Sequence, residues 1–224
     1  MRWNNQLFAP SSVVERVRLR RAALRYVEHG WPVTPGACLA GDRFTCGRPG
    51  CPTTGCHPAL EEWERAASTD VSRVVAWWRR RPHTVLLATG VAFDVLEVPA
   101  SLGRRAVAAA RLYADVVGPA LRGPVAVTAT GRYMFLVRCG GGLHPELRRC
   151  PDVVLHGRGS WIPVAPSRTP QGPVRWAVSP EETRWLLPDP LTVQAMCVDV
   201  LGTLAGGTRR HGAPRQAPVA RRAA

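Results

Sequence analysis

Residues 85–99, VLLATGVAFDVLEVP, place two short apolar runs on either side of a Thr89-Gly90 turn. Such β-branched runs, bounded by turn residues, predict strands at Val85–Ala88 and Phe93–Val98. The Ala, Arg and Val stretch Ser101–Val117 predicts a helix directly after them. Strand, turn, strand, helix is the middle of an α/β domain. The second strand carries Asp94 and Glu97. Three residues apart in a strand, they fall on opposite faces, so only one of the two carboxylates can serve a given face.

With 224 residues, 46% of them hydrophobic, the chain can bury a sizeable core as one domain. No run is long enough to span a membrane, and the polar start MRWNNQLFAP has no signal-peptide core, so a cytoplasmic protein without a membrane partner is expected. The 30 basic residues are all Arg and outnumber the 16 acidic ones, for a net charge of +14. That excess favours polyanionic partners, DNA above all, bound weakly and in a salt-dependent way.

Along the chain, residues 1–10 read as a loose start and Ser11 or Ser12 as the cap of a helix running to about His29, with Val13, Val17, Leu24 and Val27 on its apolar side. Arg16, Arg18, Arg20, Arg21 and Arg25 line the other side, either solvated or facing phosphates. Gly30 ends this helix and Trp31-Pro32-Val33 opens a strand. Residues 60–69 read as a linker; Thr69 or Asp70 then caps a helix over Val71–Arg80, with Trp77 in the core and Arg79-Arg80-Arg81 at the end that suits cations. Val125–Thr130 and Tyr133–Arg138 predict a hairpin across Gly131-Arg132. Short strands follow at Val153–Leu155 and Trp161–Val164 around HGRGS, then an edge strand at Val174–Ala177 and a helix at Leu191–Leu204. The domain is thus expected over 11–204, and the basic Pro/Ala-rich stretch 205–224 reads as a disordered tail.

Of seven cysteines, four lie between Cys38 and Cys56, in the Gly- and Pro-rich stretch 36–58. So long a loop calls for a staple, and clustered thiols in a reducing compartment suit a metal better than disulfides. Structural zinc takes about four thiolate or imidazole ligands. Cys38, Cys46, Cys51 and His57 form the preferred set, with Cys56 as an alternative ligand because it adjoins His57 too closely for both to bind. Free, reduced cysteines are the other reading.

The order AALRYVEHGWPVTP, a Cys-rich loop ending GCHPAL, VVAWWRRRP, TVLLATGVAFDVLEVP, VAVTATGRYMFLV and GRGSWIPVAPS resembles the N-terminal domain of bifunctional DNA primase/polymerases, the prim-pol branch of the archaeo-eukaryotic primase superfamily. The likeness covers roughly residues 20–190. It implies an α/β (α+β) fold: a mixed, palm-like sheet related to the RNA-recognition fold, with flanking helices and here a Cys-rich loop insertion. In active relatives an acidic pair, a His on the following hairpin and a later Asp hold Mg²⁺ or Mn²⁺ and the nucleotide triphosphate.

This chain departs from that pattern. The resemblance puts the acidic pair on Glu97 and Pro99, the His on Tyr133 and the later Asp on Val154, with Asp152 two residues earlier. Thr128, Thr130, Arg132 and Tyr133 would line the nucleotide or nucleic-acid groove. The resulting expectation is a catalytically degenerate primase/polymerase-like domain that binds nucleic acid or nucleotide. Two alternatives stand beside it: an active primase, polymerase or other nucleotidyltransferase using Glu97, Asp152 and Asp94, and a scaffold for a protein partner.

Overall fold

A computed structural model describes residues 10–117 and 122–209. Helix α1 (Pro10–Glu28) leads into strand β1 (Val33–Pro35), then a hairpin of β2 (Cys38–Ala40) and β3 (Arg43–Thr45). Short helices α2 (Trp63–Ala66) and α3 (Val71–Trp77) precede β4 (Val85–Ala88), β5 (Asp94–Val98) and the long helix α4 (Ala100–Val117). Next come β6 (Val125–Val127), β7 (Tyr133–Val137), α5 (Pro145–Arg148), β8 (Val154–His156) and β9 (Trp161–Pro163). The chain closes with β10 (Arg168–Thr169), β11 (Gly172–Pro173), β12 (Arg175–Val178) and α6 (Pro190–Arg209).

The expected α+β architecture is present, with its strands divided among sheets. A five-stranded sheet has the order β12-β6-β7-β5-β8 and a three-stranded sheet the order β1-β4-β9. Where a mixed sheet was expected, every pairing among the described strands is antiparallel. One core joins the two sheets with α1 and α3 through Leu19, Tyr26, Trp78, Leu87, Val95 and Ile162. The other lies between the far face of the larger sheet and helices α4 and α6, around Leu96, Val98, Leu102, Phe135 and Met196. Strand β5 therefore buries both faces, Val95 into the first core and Leu96 and Val98 into the second, which accounts for the three apolar residues of DVLEV pointing both ways.

The Thr89-Gly90 turn does more than reverse the chain: it carries it from the small sheet to the large one. Residues 157–160 make the return crossing between β8 and β9, and the two crossings lock together. The Thr89 hydroxyl donates to the Gly157 carbonyl at 2.6 Å and the Thr89 N–H to the Ser160 carbonyl at 3.0 Å. Gly90 has φ +86°, and a Cβ there would overlap the backbone of Arg158. Only glycine meets both demands.

Several local expectations need correction. In α1, Val27 is buried and Leu24 packs half-buried against the core as expected, but Val13 and Val17 are exposed; Leu19, Ala23 and Tyr26 complete the buried stripe at helical spacing. The stretch 36–58 opens with the β2–β3 hairpin, and the 60–69 linker contains α2 and pairs Ser68 with Val33. Trp78, not Trp77, is the fully buried indole, its Nε1–H donating to the His83 carbonyl at 2.7 Å. Asp70 caps α3 as expected, accepting from the Arg73 N–H at 2.8 Å. Helix α6 runs through Arg209 rather than ending at Leu204; the expected loose start (1–9) and the remaining tail (210–224) lie outside the described residues. No helix among the described residues is long and apolar enough to cross a membrane.

Candidate functional site

Glu97 sits on β5, one strand in from the β8 edge of the large sheet, opposite Met134 of β7 on one side and Val154 of β8 on the other. Directly opposed residues share a face, so the positions of the first and third acidic motifs do come together, with a carboxylate on one and an isopropyl group on the other. Asp94, of opposite parity, is buried elsewhere: its Oδ2 accepts the Gly140 N–H at 3.0 Å. Pro99 ends β5 and its carbonyl accepts the Gly103 N–H at 2.9 Å, starting α4.

Glu97 is spoken for. Its Oε1 accepts from Arg132 Nε at 2.6 Å and its Oε2 from His156 Nε2 at 2.8 Å. The ring's other nitrogen, Nδ1, faces the Ser160 hydroxyl at 2.8 Å. Arg132 also donates from Nη2 to the Asp152 carbonyl at 2.6 Å, so Asp152 joins the centre through its backbone. The Glu97 and Arg132 side chains keep 20% and 26% of their exposure, which makes this a half-buried pair rather than a loose surface one. The hydrogen bond from His156, followed by that from Arg132, holds the Glu97 carboxyl below its ordinary pKa against the opposing effect of burial.

Tyr133 is not part of this cluster. It pairs with Val98 and so projects from the opposite face, where its ring packs against Gly103 of α4; a Cβ at 103 would overlap that ring. The expected groove partners Thr128, Thr130 and Arg132 are adjacent, but their polar groups close the β6–β7 turn. Thr128 and Thr130 hydroxyls lie 2.9 Å apart, and the Arg132 N–H donates to the Thr128 hydroxyl at 3.0 Å. His156 and Ser160 were not singled out from the sequence. The one available signal is parity: His156 is two residues beyond Val154 and therefore on its face, but only the β5–β8 register makes it the diagonal neighbour of Glu97.

The Cys-rich stretch forms a second cluster. Ligand atoms of Cys46, Cys51 and His57 all lie within 4.8 Å of one another. His57 Nδ1–H donates to the Gly55 carbonyl at 2.7 Å, leaving Nε2 facing the Cys51 thiol at 3.6 Å. That is how a metal-binding imidazole is usually oriented. Burial raises the Cys46 thiol, but hydrogen bonds from Arg48, His57 and Cys51 outweigh it and bring its pKa down to about 6.

Cys38, a member of the expected set, stands apart from this cluster. Its sulfur lies 3.6 Å from His83 Nδ1, which also donates to the Gly36 carbonyl at 2.8 Å. Burial pushes the Cys38 thiol up to about 11 and the Cys56 thiol up to about 12, and neither sulfur is among the three ligand atoms that converge. The physical reason is register: β2 pairs Cys38 with Thr45 and turns its side chain inward, away from the loop tip. Three convergent ligands suit a divalent metal with one further position open.

The sequence model of the family described as bifunctional DNA primase/polymerase, N-terminal, matches residues 23–191. This spans most of the chain, and the chain belongs to that family: it is a DNA primase/polymerase-like domain. No curated protein matches the sequence.

Proposed function

We propose that this chain is a catalytically silent primase/polymerase-like domain that binds nucleic acid, DNA first. The observation that carries the reading is the occupancy of Glu97: both of its oxygens are spent, on Arg132 and on His156. Two-metal phosphoryl transfer needs carboxylates free to hold divalent ions. Here the family positions offer one carboxylate, already neutralised by a guanidinium, with Val154 opposite it and Pro99 after it. A fixed cation at Arg132 occupies the electrostatic role that Mg²⁺ or Mn²⁺ would fill.

The net charge of +14 supports binding to a polyanion whatever the state of the chemistry. A zinc ion at Cys46, Cys51 and His57, bracing the loop, is part of the same reading, as is a cytoplasmic setting in which the thiols stay reduced. Primer synthesis and primer extension with Mg²⁺ or Mn²⁺ test the catalytic half. The expected result is no product above background in either the parent or Glu97→Ala; extension by the parent that disappears in Glu97→Ala would overturn it. Salt-dependent binding of labelled DNA tests the other half, and no detectable binding at low salt would leave a scaffold for a protein partner.

A further inference from the structure

A cleft of about 530 Å³ opens between the end of α3 and the tip of the Cys-rich loop, away from the Glu97 centre. Its size is that of a small-molecule or nucleotide site, for which roughly 300–1,000 Å³ is usual. Arg79, Arg80 and Arg81 line it together with Trp77, His83 and Cys46, and no carboxylate is among its lining residues. All three arginines are exposed, and none has an acidic partner within 4.0 Å among the described residues.

The arginines are also held in place. Arg16 of α1 donates from Nη1 to the Arg79 carbonyl at 3.0 Å, tying the backbone of the arginine run to α1. Gly47 has φ +82°, and a Cβ there would overlap the Arg81 guanidinium, so the loop leaves room for that cation to span the cleft. The complement of the α3 dipole accounts for a cation at a helix end. It does not account for three unpaired guanidinium groups gathered round a concave, carboxylate-free wall that includes an indole.

We propose that this cleft is a second nucleic-acid site, taking the phosphates of a single strand on Arg79, Arg80 and Arg81 and a base against Trp77. Guanidinium groups bind phosphate oxygens in a planar fork, and an aromatic wall accepts any base, so affinity without sequence preference follows. The inference rests on the nucleic-acid reading above and adds the place of binding, which is not the palm. Because Gly47 and Cys46 belong to both the loop tip and the cleft wall, bracing the loop also shapes the strand's path.

The test uses the full chain and a fluorescent fifteen-residue oligo-dT, followed by anisotropy over a salt series. Arg79→Gln/Arg80→Gln should weaken binding by about tenfold and lower the log–log salt slope by about 1.4, the counterion release of two single-strand phosphates. Arg104→Gln/Arg105→Gln, on the exposed side of α4, removes the same charge and should change the slope much less. Photocrosslinking with bromodeoxyuridine should place an adduct in the tryptic peptide Val74–Arg79. Equal weakening by the two double variants, or adducts confined to the large sheet, overturns the cleft while leaving nucleic-acid binding intact. No binding by the parent overturns both. A free triphosphate, dTTP, that displaces the strand at low concentration would make the cleft a nucleotide site instead.

Discussion

Two polar centres in this chain use their charge in opposite ways. Around Glu97, each charged group has a partner: Arg132 at 2.6 Å, His156 at 2.8 Å and the Asp152 carbonyl on the far side of the guanidinium. Around the α3 cleft, three guanidinium groups face open space with no carboxylate on the wall. The first arrangement satisfies its charges internally. The second leaves its charge available to an external partner. The charge left unpaired in this chain thus lies at the α3 cleft rather than at Glu97.

The largest expected effect breaks the closed centre at its support. Gly90→Ala forces a side chain into a positive-φ position and onto the Arg158 backbone. It should destabilise the fold by about 3 kcal/mol or more, read as a shift of the urea midpoint, because the crossing it disturbs holds β8 and His156 against β5. Next, Cys51→Ser should reduce bound zinc from about one per chain to none by elemental analysis and increase proteolysis within 36–58. A parent that purifies from zinc-containing medium without metal would contradict the zinc reading.

Glu97→Ala should cost about 1–3 kcal/mol by leaving Arg132 half-buried and unpaired, with oligo-dT binding nearly unchanged. Arg79→Gln/Arg80→Gln should do the reverse, altering stability by no more than about 0.5 kcal/mol while binding falls. That crossed outcome is the sharpest form of the comparison; a Glu97→Ala variant that loses binding in step with stability would blur it. The smallest effect is in acid. Glu97 has a folded pKa held below its ordinary 4.5. Its contribution is therefore complete above that value and is lost as pH falls through the lowered one. The parent's urea stability should decline with acid below about pH 4.5 more steeply than that of Glu97→Gln.

Much of the domain could be read from residue order. Apolar runs and turn residues located β4, β5 and the β6–β7 hairpin, Asp70 marked the start of α3, and the run of motifs from GWPV to VAPS carried the family likeness. The Cys-rich stretch marked a candidate metal cluster of Cys38, Cys46, Cys51 and His57, of which the structure brings the last three together and leaves Cys38 apart. These are local signals: period, capping chemistry and turn geometry act over a few residues, and the sequence writes them out directly.

What remained hidden depended on partners far away in the chain. That Glu97 is bound by Arg132 and His156, 35 and 59 residues on, follows from the β5–β7 and β5–β8 registers. The placement of Tyr133 on the α4 face follows from strand parity in the β5–β7 pairing, and that of Cys38 beside His83 goes with the separate β2–β3 pairing. A one-residue shift in register moves every side chain to the other face. The sequence by itself thus determined the family, the elements and the excess of positive charge. Only the tertiary structure decided which of those charges are already neutralised and which remain free, because pairing across sheets is set by long-range packing rather than by neighbours in sequence.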